Sequence, residues 1–274
     1  MDLPASFDGQ AASFDERAGL RPDVRAAVAK SILELTGNVA GSPRVSVLEV
    51  GAGTGEIGAE LVAAGASYVG FDLSLPMLAH FGRRIDDDDA RQRSTMVQAD
   101  GESRWPMRDG AANAVFGSRS LHLLDTGHVL AEVGRVLAPG GCLLIGRIDR
   151  SGDGAKDVMR RQMRKLLKER GFAGRAGEKH RASLVDGLVD AGASRIDAVN
   201  VVSWPVEHTP GGSIQSWQEK RGMGGIRPPE AVKKEILDEL RSFAESKFGG
   251  LDAVVHSEET YVIEGARLRE TRNP

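Results

Sequence analysis

The chain has 274 residues, of which 41% are hydrophobic and 27% charged, and its formal net charge is −3. This composition is typical of a folded globular protein, and the weak negative charge does not favour a nucleic acid or an anionic membrane as partner. No stretch approaches the roughly 18 apolar residues of a membrane span, and the N-terminus lacks the pattern of a secretory signal. The one cysteine, Cys142, excludes an internal disulfide and a cysteine-rich metal site. We therefore expect a cytoplasmic protein.

The first predicted element is a helix that begins at Pro22 and ends at Gly37, with apolar residues recurring on one face. Short apolar runs then alternate with helical patterns. The predicted strands cover residues 45–50, 68–71, 95–99, 114–117 and 142–148, and the predicted helices cover 57–64, a segment opened by Ser74, and 129–137. Strands and helices that alternate at this spacing predict a parallel, doubly wound sheet, which binds ligands at the carboxyl ends of its strands.

The pattern changes after Asp149. Helices are predicted over residues 156–170 and 183–190, and two β-like segments, 195–204 and 254–263, are expected to pair as an antiparallel edge hairpin. We interpret the whole chain, 1–274, as one α/β domain with a seven-stranded, mostly parallel sheet, a ligand-binding core at about 44–150 and a helical insertion at about 205–250. The basic helix 156–170 is most simply a solvated face, although it could attract an acidic substrate.

The insertion contains Trp217, Arg221 and Met223 among the glycines 222, 224 and 225. This composition suggests a mobile lid that excludes water from a bound acceptor. A helical pair that completes the core is the alternative interpretation.

The strongest local signal is the turn from the first predicted strand into a helix, where Gly51, Gly53 and Gly55 alternate. Glycines permit a tight turn and let a ligand lie against the backbone, and the helix N-terminus offers free N–H groups. Gly53, Gly55 and Gly58 also match the dinucleotide pattern G-x-G-x-x-G. The register argues against that match, because Gly51 directly follows the strand and Glu56 then occupies the third glycine position.

Acidic residues end the next two predicted strands. Asp72 can accept hydrogen bonds from both hydroxyls of a ribose, and the alternative is an acid at the start of a helix. Asp100 can accept from the exocyclic amine of an adenine, and the alternative is an Asp-Gly turn.

Together these elements resemble the class I S-adenosylmethionine-dependent methyltransferases. Glu49-x-Gly51-x-Gly53-x-Gly55 is similar to that family's first motif and Asp72 to its second-strand acid. Residues 100–116 resemble the passage from its third to its fourth strand, and residues 132–141 resemble the helix and turn before its fifth. The small-molecule branch that includes the quinone-biosynthesis C-methyltransferases is the most similar, and residues 14–18 resemble that branch's entry segment.

The resemblance implies a Rossmann-like fold and S-adenosylmethionine as the cofactor. It implies that Glu49 and the loop hold the methionine part, that Asp72 binds the ribose, and that Asp100 faces the adenine amine. The complete set of implied cofactor-binding residues is Arg17, Glu49, Gly51, Ala52, Gly53, Gly55, Asp72, Leu73, Met77, Asp100, Gly101, Glu102 and Ser118.

A sulfonium is an activated methyl donor, so a general base is needed only when the acceptor must lose a proton. His122, after the fourth predicted strand, is the candidate base, and a histidine packed at the strand–helix junction is the alternative. Asp149 and His208 are weaker candidates. We predict no metal, because Asp149-Arg150 stands where metal-dependent catechol methyltransferases carry an Asp-Asn pair.

The expected function is methyl transfer to a small-molecule acceptor that the sequence does not identify. The run Ser118-Arg119-Ser120-Leu121 stands where amino-methylating nucleic-acid enzymes carry an Asn/Asp-Pro-Pro-aromatic motif, so we expect no nucleic-acid substrate. Two other functions stay open: an NAD(P)-dependent oxidoreductase, and a non-catalytic protein that binds an adenosyl ligand. The oligomeric state is also open.

Overall fold

The computed structural model describes residues 19–37, 44–172, 177–220 and 222–270. The entry segment 14–18, with Arg17, and the proposed lid residue Arg221 lie outside the described residues.

The described helices and strands alternate through the first half of the chain. Helix α1 (Pro22–Thr36) precedes β1 (Ser46–Val50), α2 (Gly58–Ala63), β2 (Ser67–Asp72), α3 (Leu75–Gly82), α4 (Asp88–Gln92), β3 (Ser94–Gln98) and β4 (Ala112–Ser118). A short 3-10 helix (Leu121–Leu123) and α5 (Thr126–Val136) follow, and then β5 (Leu137–Arg150), α6 (Ala155–Glu169), α7 (Gly177–Asp190), β6 (Ser194–His208), α8 (Pro210–Glu219), α9 (Glu230–Phe248) and β7 (Val255–Arg267).

Within the described residues, seven strands form one sheet in the order β3-β2-β1-β4-β5-β7-β6. The pairs β1–β2, β1–β4, β2–β3 and β4–β5 are all parallel. Strand β7 runs antiparallel to β5, since Gly140 N–H donates to Arg269 O at 2.9 Å and Leu268 N–H donates to Gly141 O at 2.8 Å. The predicted Rossmann-like fold, mostly parallel with an antiparallel edge, is confirmed.

Strand β5 shows why some predicted boundaries are wrong. The segment Pro139-Gly140-Gly141 was expected to end a helix and leave a turn, yet β5 already begins at Leu137. The glycine backbone there pairs with the end of β7, a partner more than 120 residues away, which local sequence cannot reveal. Helix α4 was not predicted, although Asp87 accepts a capping hydrogen bond from Ala90 N at 2.9 Å.

The described residues fall into two compact units. Unit 1 lies within residues 1–147, 177–202 and 261–274, and unit 2 lies within 148–176 and 203–260. The single-domain interpretation stays a prediction.

Unit 1 is organised around the central strands β1, β4 and β5. Leu48, Val115 and Leu143, one from each strand, are fully buried, as expected for parallel strands covered by helices on both faces. Trp105, from the connection between β3 and β4, is 2% exposed and joins the same core. This buried sheet holds the carboxyl ends of β1, β2 and β4 in fixed positions.

Unit 2 has its own core, formed by α6, α8 and α9. Met159 and Met163 of α6 pack with Ile214 of α8 and with Ile236 and Leu240 of α9. Trp217 is partly buried against this cluster and Met223 is 1% exposed. Both apolar residues assigned to a lid therefore also serve as core residues of unit 2, and the lid stays a prediction.

None of the helices in the described residues is both long and apolar enough to cross a membrane.

Candidate functional site

The glycine turn after β1 depends on a left-handed backbone. Gly51, Gly53 and Gly55 have φ values of 72°, 55° and 77°, which glycine adopts without the penalty that a side chain would impose. The N–H groups of Gly51 and Ala52 both donate to the carbonyl of Phe71, at 2.9 and 3.0 Å. The turn is thereby tied to the end of the neighbouring strand β2.

The three glycines differ in what surrounds them. A Cβ on Gly55 would lie 2.1 Å from the ring of the buried Phe81, and a Cβ on Gly51 would lie 2.4 Å from Cβ of Ser120. A Cβ on Gly53 would meet no atom of the described residues within 4 Å. Two of the glycines are thus required by packing, whereas Gly53 faces open space in which a ligand can approach the backbone.

Asp72 ends β2 and faces this turn. Its Oδ2 accepts a hydrogen bond from Gly53 N–H at 2.9 Å, and its Oδ1 accepts one from Ser74 N–H at 2.8 Å. The side chain is half-buried. An ionised carboxylate has about four acceptor positions, so two backbone bonds fix its orientation and still allow it to accept ligand hydroxyls. The structure brings together the acid and the glycine turn that the sequence singled out.

Glu49 lies beneath the turn on β1 and is 4% exposed. Tyr68 Oη donates a hydrogen bond to its Oε2 at 2.5 Å. Burial raises the pKa of Glu49 to about 8, and the negative charges of Asp72 and Glu56 act in the same direction. The Glu49 carboxyl is therefore mostly protonated at neutral pH in this structure. A bound cation beside it would favour the ionised form.

The buried pair of Glu49 and Tyr68 leaves no room for a side chain at position 58, which explains the glycine there. A Cβ there would lie 2.5 Å from Tyr68 Oη and 2.8 Å from Glu49 Oε2. The close approach of α2 to β2 thus accounts for the third glycine of the apparent dinucleotide pattern. Gly51 directly follows β1, which ends at Val50, so the register derived from the sequence is confirmed.

The turn also has a support that sequence reasoning missed. Glu56 is 7% exposed and accepts hydrogen bonds from Leu20 N–H at 2.6 Å and from Arg119 Nη2 at 3.2 Å. Arg119 has φ of 62°, a left-handed conformation that no other non-glycine residue adopts in the described part of the chain. The only signal in the sequence was an acid in place of the third glycine.

The residues assigned to the adenine follow β2 and β3, whose carboxyl ends are neighbours. Met77 is 3% exposed and Leu73 is 38% exposed. Asp100 is exposed, and its Oδ1 accepts Glu102 N–H at 3.0 Å, which is the turn that the alternative interpretation expected. Glu102 Oε1 accepts Asp125 N–H at 2.9 Å, and Gly101 O accepts Trp105 Nε1–H at 3.0 Å.

Ser118 and His122 lie at and after the end of β4. Ser118 Oγ accepts a hydrogen bond from Tyr261 Oη at 2.8 Å, and burial raises the pKa of that tyrosine. His122 is exposed in the 3-10 helix between β4 and α5, and its role stays a prediction. Of the weaker candidates, Asp149 is exposed, and His208 lies half-buried in unit 2.

The motif at residues 132–141 has a structural role. Glu132 Oε2 accepts Trp105 N–H at 2.7 Å, and Arg135 donates to the carbonyls of Met107 and Trp105 at 2.7 and 3.1 Å. The hydrogen bonds from Arg135 lower the pKa of Glu132 and keep it ionised. The pair fixes the connection between β3 and β4 and so positions the residues that follow β3.

Within the described ranges, no group of three or more His, Cys, Asp or Glu side chains is arranged to hold a metal ion.

The region that contains the glycine turn and Asp72 is similar to a known protein family. Residues 47–141 match the family model described as a methyltransferase domain. The resemblance stated from the sequence is confirmed.

A demethylmenaquinone methyltransferase from Parafrankia sp. (strain EAN1pec) is 36% identical over 164 residues, which are 52% of this chain and 64% of that protein. The chain thus aligns with less than two thirds of this relative's length.

Two solved structures share the fold. A putative methyltransferase from Bacillus halodurans C-125 has a TM-score of 0.53 at 19% identity, covering 88% of this chain and 98% of the other. A geranyl diphosphate methyltransferase in complex with S-adenosylmethionine has a TM-score of 0.50 at 14% identity, covering 97% and 92%. At these identities the likeness shows the fold alone.

Proposed function

We propose that the chain transfers a methyl group from S-adenosylmethionine to a small-molecule acceptor. The observation that carries the proposal is the Asp72 carboxylate held against Gly53 N–H, beside a glycine turn with open space above it. The match to a methyltransferase domain covers the same residues.

The charge of this region fits a cationic cofactor. Glu49, Glu56 and Asp72 lie at or beneath the turn, and each is buried or half-buried. S-adenosylmethionine has a positive sulfonium and a positive ammonium, which the Asp72 carboxylate would attract, and a bound cation would favour the ionised form of Glu49. Nicotinamide dinucleotides carry a pyrophosphate, which buried carboxylates beside the turn would disfavour. The electrostatics thus support the adenosyl cofactor over the dinucleotide.

When bound, S-adenosylmethionine supplies an activated methyl group on sulfur. We propose that Asp72 holds the ribose hydroxyls, that the turn's backbone and Glu49 hold the methionine part, and that Leu73 and Met77 line the adenine. His122, exposed after β4, is proposed as the base or as an orienting hydrogen-bond partner for an acceptor that must lose a proton. We propose that the chain otherwise contributes by aligning the acceptor with the methyl group of the cofactor.

The proposed acceptor is a small molecule rather than a nucleic acid. Two observations support this proposal: the net charge of −3, and the similarity to a demethylmenaquinone methyltransferase, a protein named for a small-molecule acceptor. A cytoplasmic location is proposed because the chain has a single cysteine, Cys142, which is buried in β5 and cannot form an internal disulfide.

Calorimetry with S-adenosylhomocysteine and with NAD tests the cofactor. We expect the first to bind and Asp72→Ala to weaken that binding by about 1–3 kcal/mol, because charge-assisted hydrogen bonds to the ribose are lost. Asp86→Ala, which removes an exposed acid of the same unit, serves as the matched control and should leave the affinity unchanged.

Tight NAD binding without S-adenosylhomocysteine binding would instead support the oxidoreductase. Equal affinities for the wild type and Asp72→Ala would place the ribose elsewhere. Binding without methyl transfer to any member of a broad panel of small-molecule acceptors would support the non-catalytic alternative.

A further inference from the structure

Unit 2 contains a group of partly buried cations that the proposed function does not use. Arg150 is at the end of β5, and Lys156 and Arg160 are one turn apart at the start of α6. His208, the last residue of β6, lies beside them, as its interactions with Lys156 and Arg150 show. We call these four residues the basic cluster.

The carboxylates around the basic cluster do not balance its charge. Glu259 Oε1 accepts from Arg150 Nε at 2.7 Å, and Asp157 lies 3.7 Å from Arg160. Lys156 has no ion pair within 4.0 Å in the described part of the chain. Arg150, Lys156 and Arg160 therefore face two carboxylates, those of Glu259 and Asp157.

The side chains of the basic cluster are also partly buried, with 22% of Arg150, 34% of Arg160 and 30% of His208 exposed. Burial lowers the pKa of Lys156 and of Arg160, and the nearby charge of Arg150 lowers both further. Burial and the charge of Lys156 lower the pKa of His208, against the opposing pull of Glu259 and Asp157. Like charges brought together in a partly dry site cost free energy, which a bound anion would recover.

His208 supplies an independent sign of an incomplete site. Its Nε2 is buried, makes no hydrogen bond within the described residues, and lies 3.9 Å from Glu259 Oε1, too far for one. An additional negative charge in the basic cluster would favour protonation of His208 and its pairing with Glu259.

We propose that the basic cluster of unit 2 is a binding site for an oxyanion, the phosphate or carboxylate group of a small-molecule ligand. Arg150 and Arg160 supply planar guanidinium donors and Lys156 supplies an ammonium donor, which is the donor set that such anions prefer. The proposal concerns unit 2 alone and does not depend on the proposed function.

The rest of α6 shows how these cations differ from ordinary surface charges. Lys165 and Lys168 are exposed on the same helix, and Lys165 has the nearby partner Glu169 at 3.9 Å. The interpretation of the whole helix as a solvated basic face therefore holds for its second half only. Its first turns, with Lys156 and Arg160, carry the proposed site.

The test uses the full-length protein without cofactor, with inorganic phosphate and malonate as separate probes. The ring proton signal of His208 is followed by NMR over pH 5–9 at fixed ionic strength. We expect one or both probes to raise the pKa of His208 saturably. Lys156→Gln should weaken that binding about tenfold, the effect of losing one charge-assisted hydrogen bond, whereas Lys168→Gln on the same helix should not change it.

Saturation by phosphate alone assigns a phosphate ligand, and saturation by malonate alone assigns a carboxylate. If neither probe shifts His208, or if Lys156→Gln and Lys168→Gln bind equally, the proposal is overturned. Glu259→Gln should change the affinity in the opposite direction. It removes a carboxylate that competes for Arg150, so it should tighten binding of the probe severalfold. Since no cofactor is present, these outcomes are independent of S-adenosylmethionine binding.

Discussion

The glycine turn of unit 1 and the basic cluster of unit 2 carry partly buried charges of opposite sign. Around the glycine turn of unit 1 the partly or fully buried ionisable groups are mainly the acids Glu49, Glu56 and Asp72. In unit 2 they are mainly the cations Arg150, Lys156 and Arg160. A protein seldom withdraws charge from water without a partner of opposite charge. Glu56 has the partner Arg119, so in unit 1 Asp72 and the ionisable Glu49 are the acids suited to a cationic ligand, whereas the basic cluster of unit 2 is suited to an anionic one.

The units also differ in how these groups are held. Asp72 and Glu56 are fixed by backbone N–H groups of Gly53, Ser74 and Leu20, which are parts of a rigid turn and its surroundings. The cations of unit 2 are held by long side chains that can change rotamer. The acidic region is therefore suited to recognising one invariant ligand, and the basic cluster to accepting ligands of several shapes.

The largest expected effect separates packing from ligand space within the glycine turn. Gly55→Ala should destabilise the fold by roughly 3 kcal/mol or more, because left-handed strain adds to an overlap with the buried Phe81 ring. Gly53→Ala should cost only about 1–2 kcal/mol, since the new methyl group meets no neighbour in the part of the chain that the structure describes. Urea unfolding followed by circular dichroism measures both.

The same two variants test whether the open space belongs to a ligand. Gly53→Ala should remain folded and yet bind S-adenosylhomocysteine at least tenfold more weakly, because its Cβ occupies the surface that the ligand needs. A Gly53→Ala variant that binds normally would mean that the glycine turn serves the fold alone, and the contrast between the units would lose its acidic half.

The second effect follows from the buried acid. The unfolded chain releases the Glu49 proton near pH 4.5, whereas the native chain keeps it up to a pKa of about 8. The stabilising contribution is therefore complete below pH 4.5 and is lost as the pH rises to 8. Glu49→Gln cannot ionise, so its stability relative to the wild type should rise between pH 5 and pH 8 by an amount on the order of a few kcal/mol.

Urea unfolding of the wild type and Glu49→Gln at pH 5 and pH 8 gives this difference directly, because the other titrating groups are common to both chains. Glu60→Gln, a partly exposed acid on α2, is the control and should show a much smaller change. If the wild type and Glu49→Gln differ by the same amount at both pH values, Glu49 is already ionised at neutral pH.

Much of unit 1 could be predicted from the sequence because its signals are local. The strand β1, the glycines that follow it and the acid that ends β2 lie within the 27 residues from Ser46 to Asp72, and the structure joins Gly53 to Asp72 as the motif implies. The Glu56–Arg119 pair could not be predicted, since its two residues are 63 positions apart and no motif links them.

The helices of unit 2 were predicted, since the segment 156–170 matches α6 (Ala155–Glu169), but its basic cluster was not, for the opposite reason. Its basic cluster combines the end of β5, the start of α6, the end of β6 and Glu259 of β7, four segments that span more than 100 residues. From helical periodicity alone, Lys156 and Lys168 were both interpreted as exposed charges on a solvated helix face. Only the burial of the first turn of α6 distinguishes them.

The smallest expected effect tests how far the acidic region extends toward the adenine. Asp100 is exposed and already accepts Glu102 N–H, so Asp100→Asn preserves the turn and removes only the charge. We expect it to weaken S-adenosylhomocysteine binding by about 0.5–1 kcal/mol, less than the loss of Asp72, because an exposed hydrogen bond competes with water. S-inosylhomocysteine lacks the exocyclic amine, so Asp100→Asn should not weaken its binding at all. An equal loss for both ligands would show that Asp100 acts through long-range charge and does not contact the adenine amine, which would confine specific recognition to the glycine turn and Asp72.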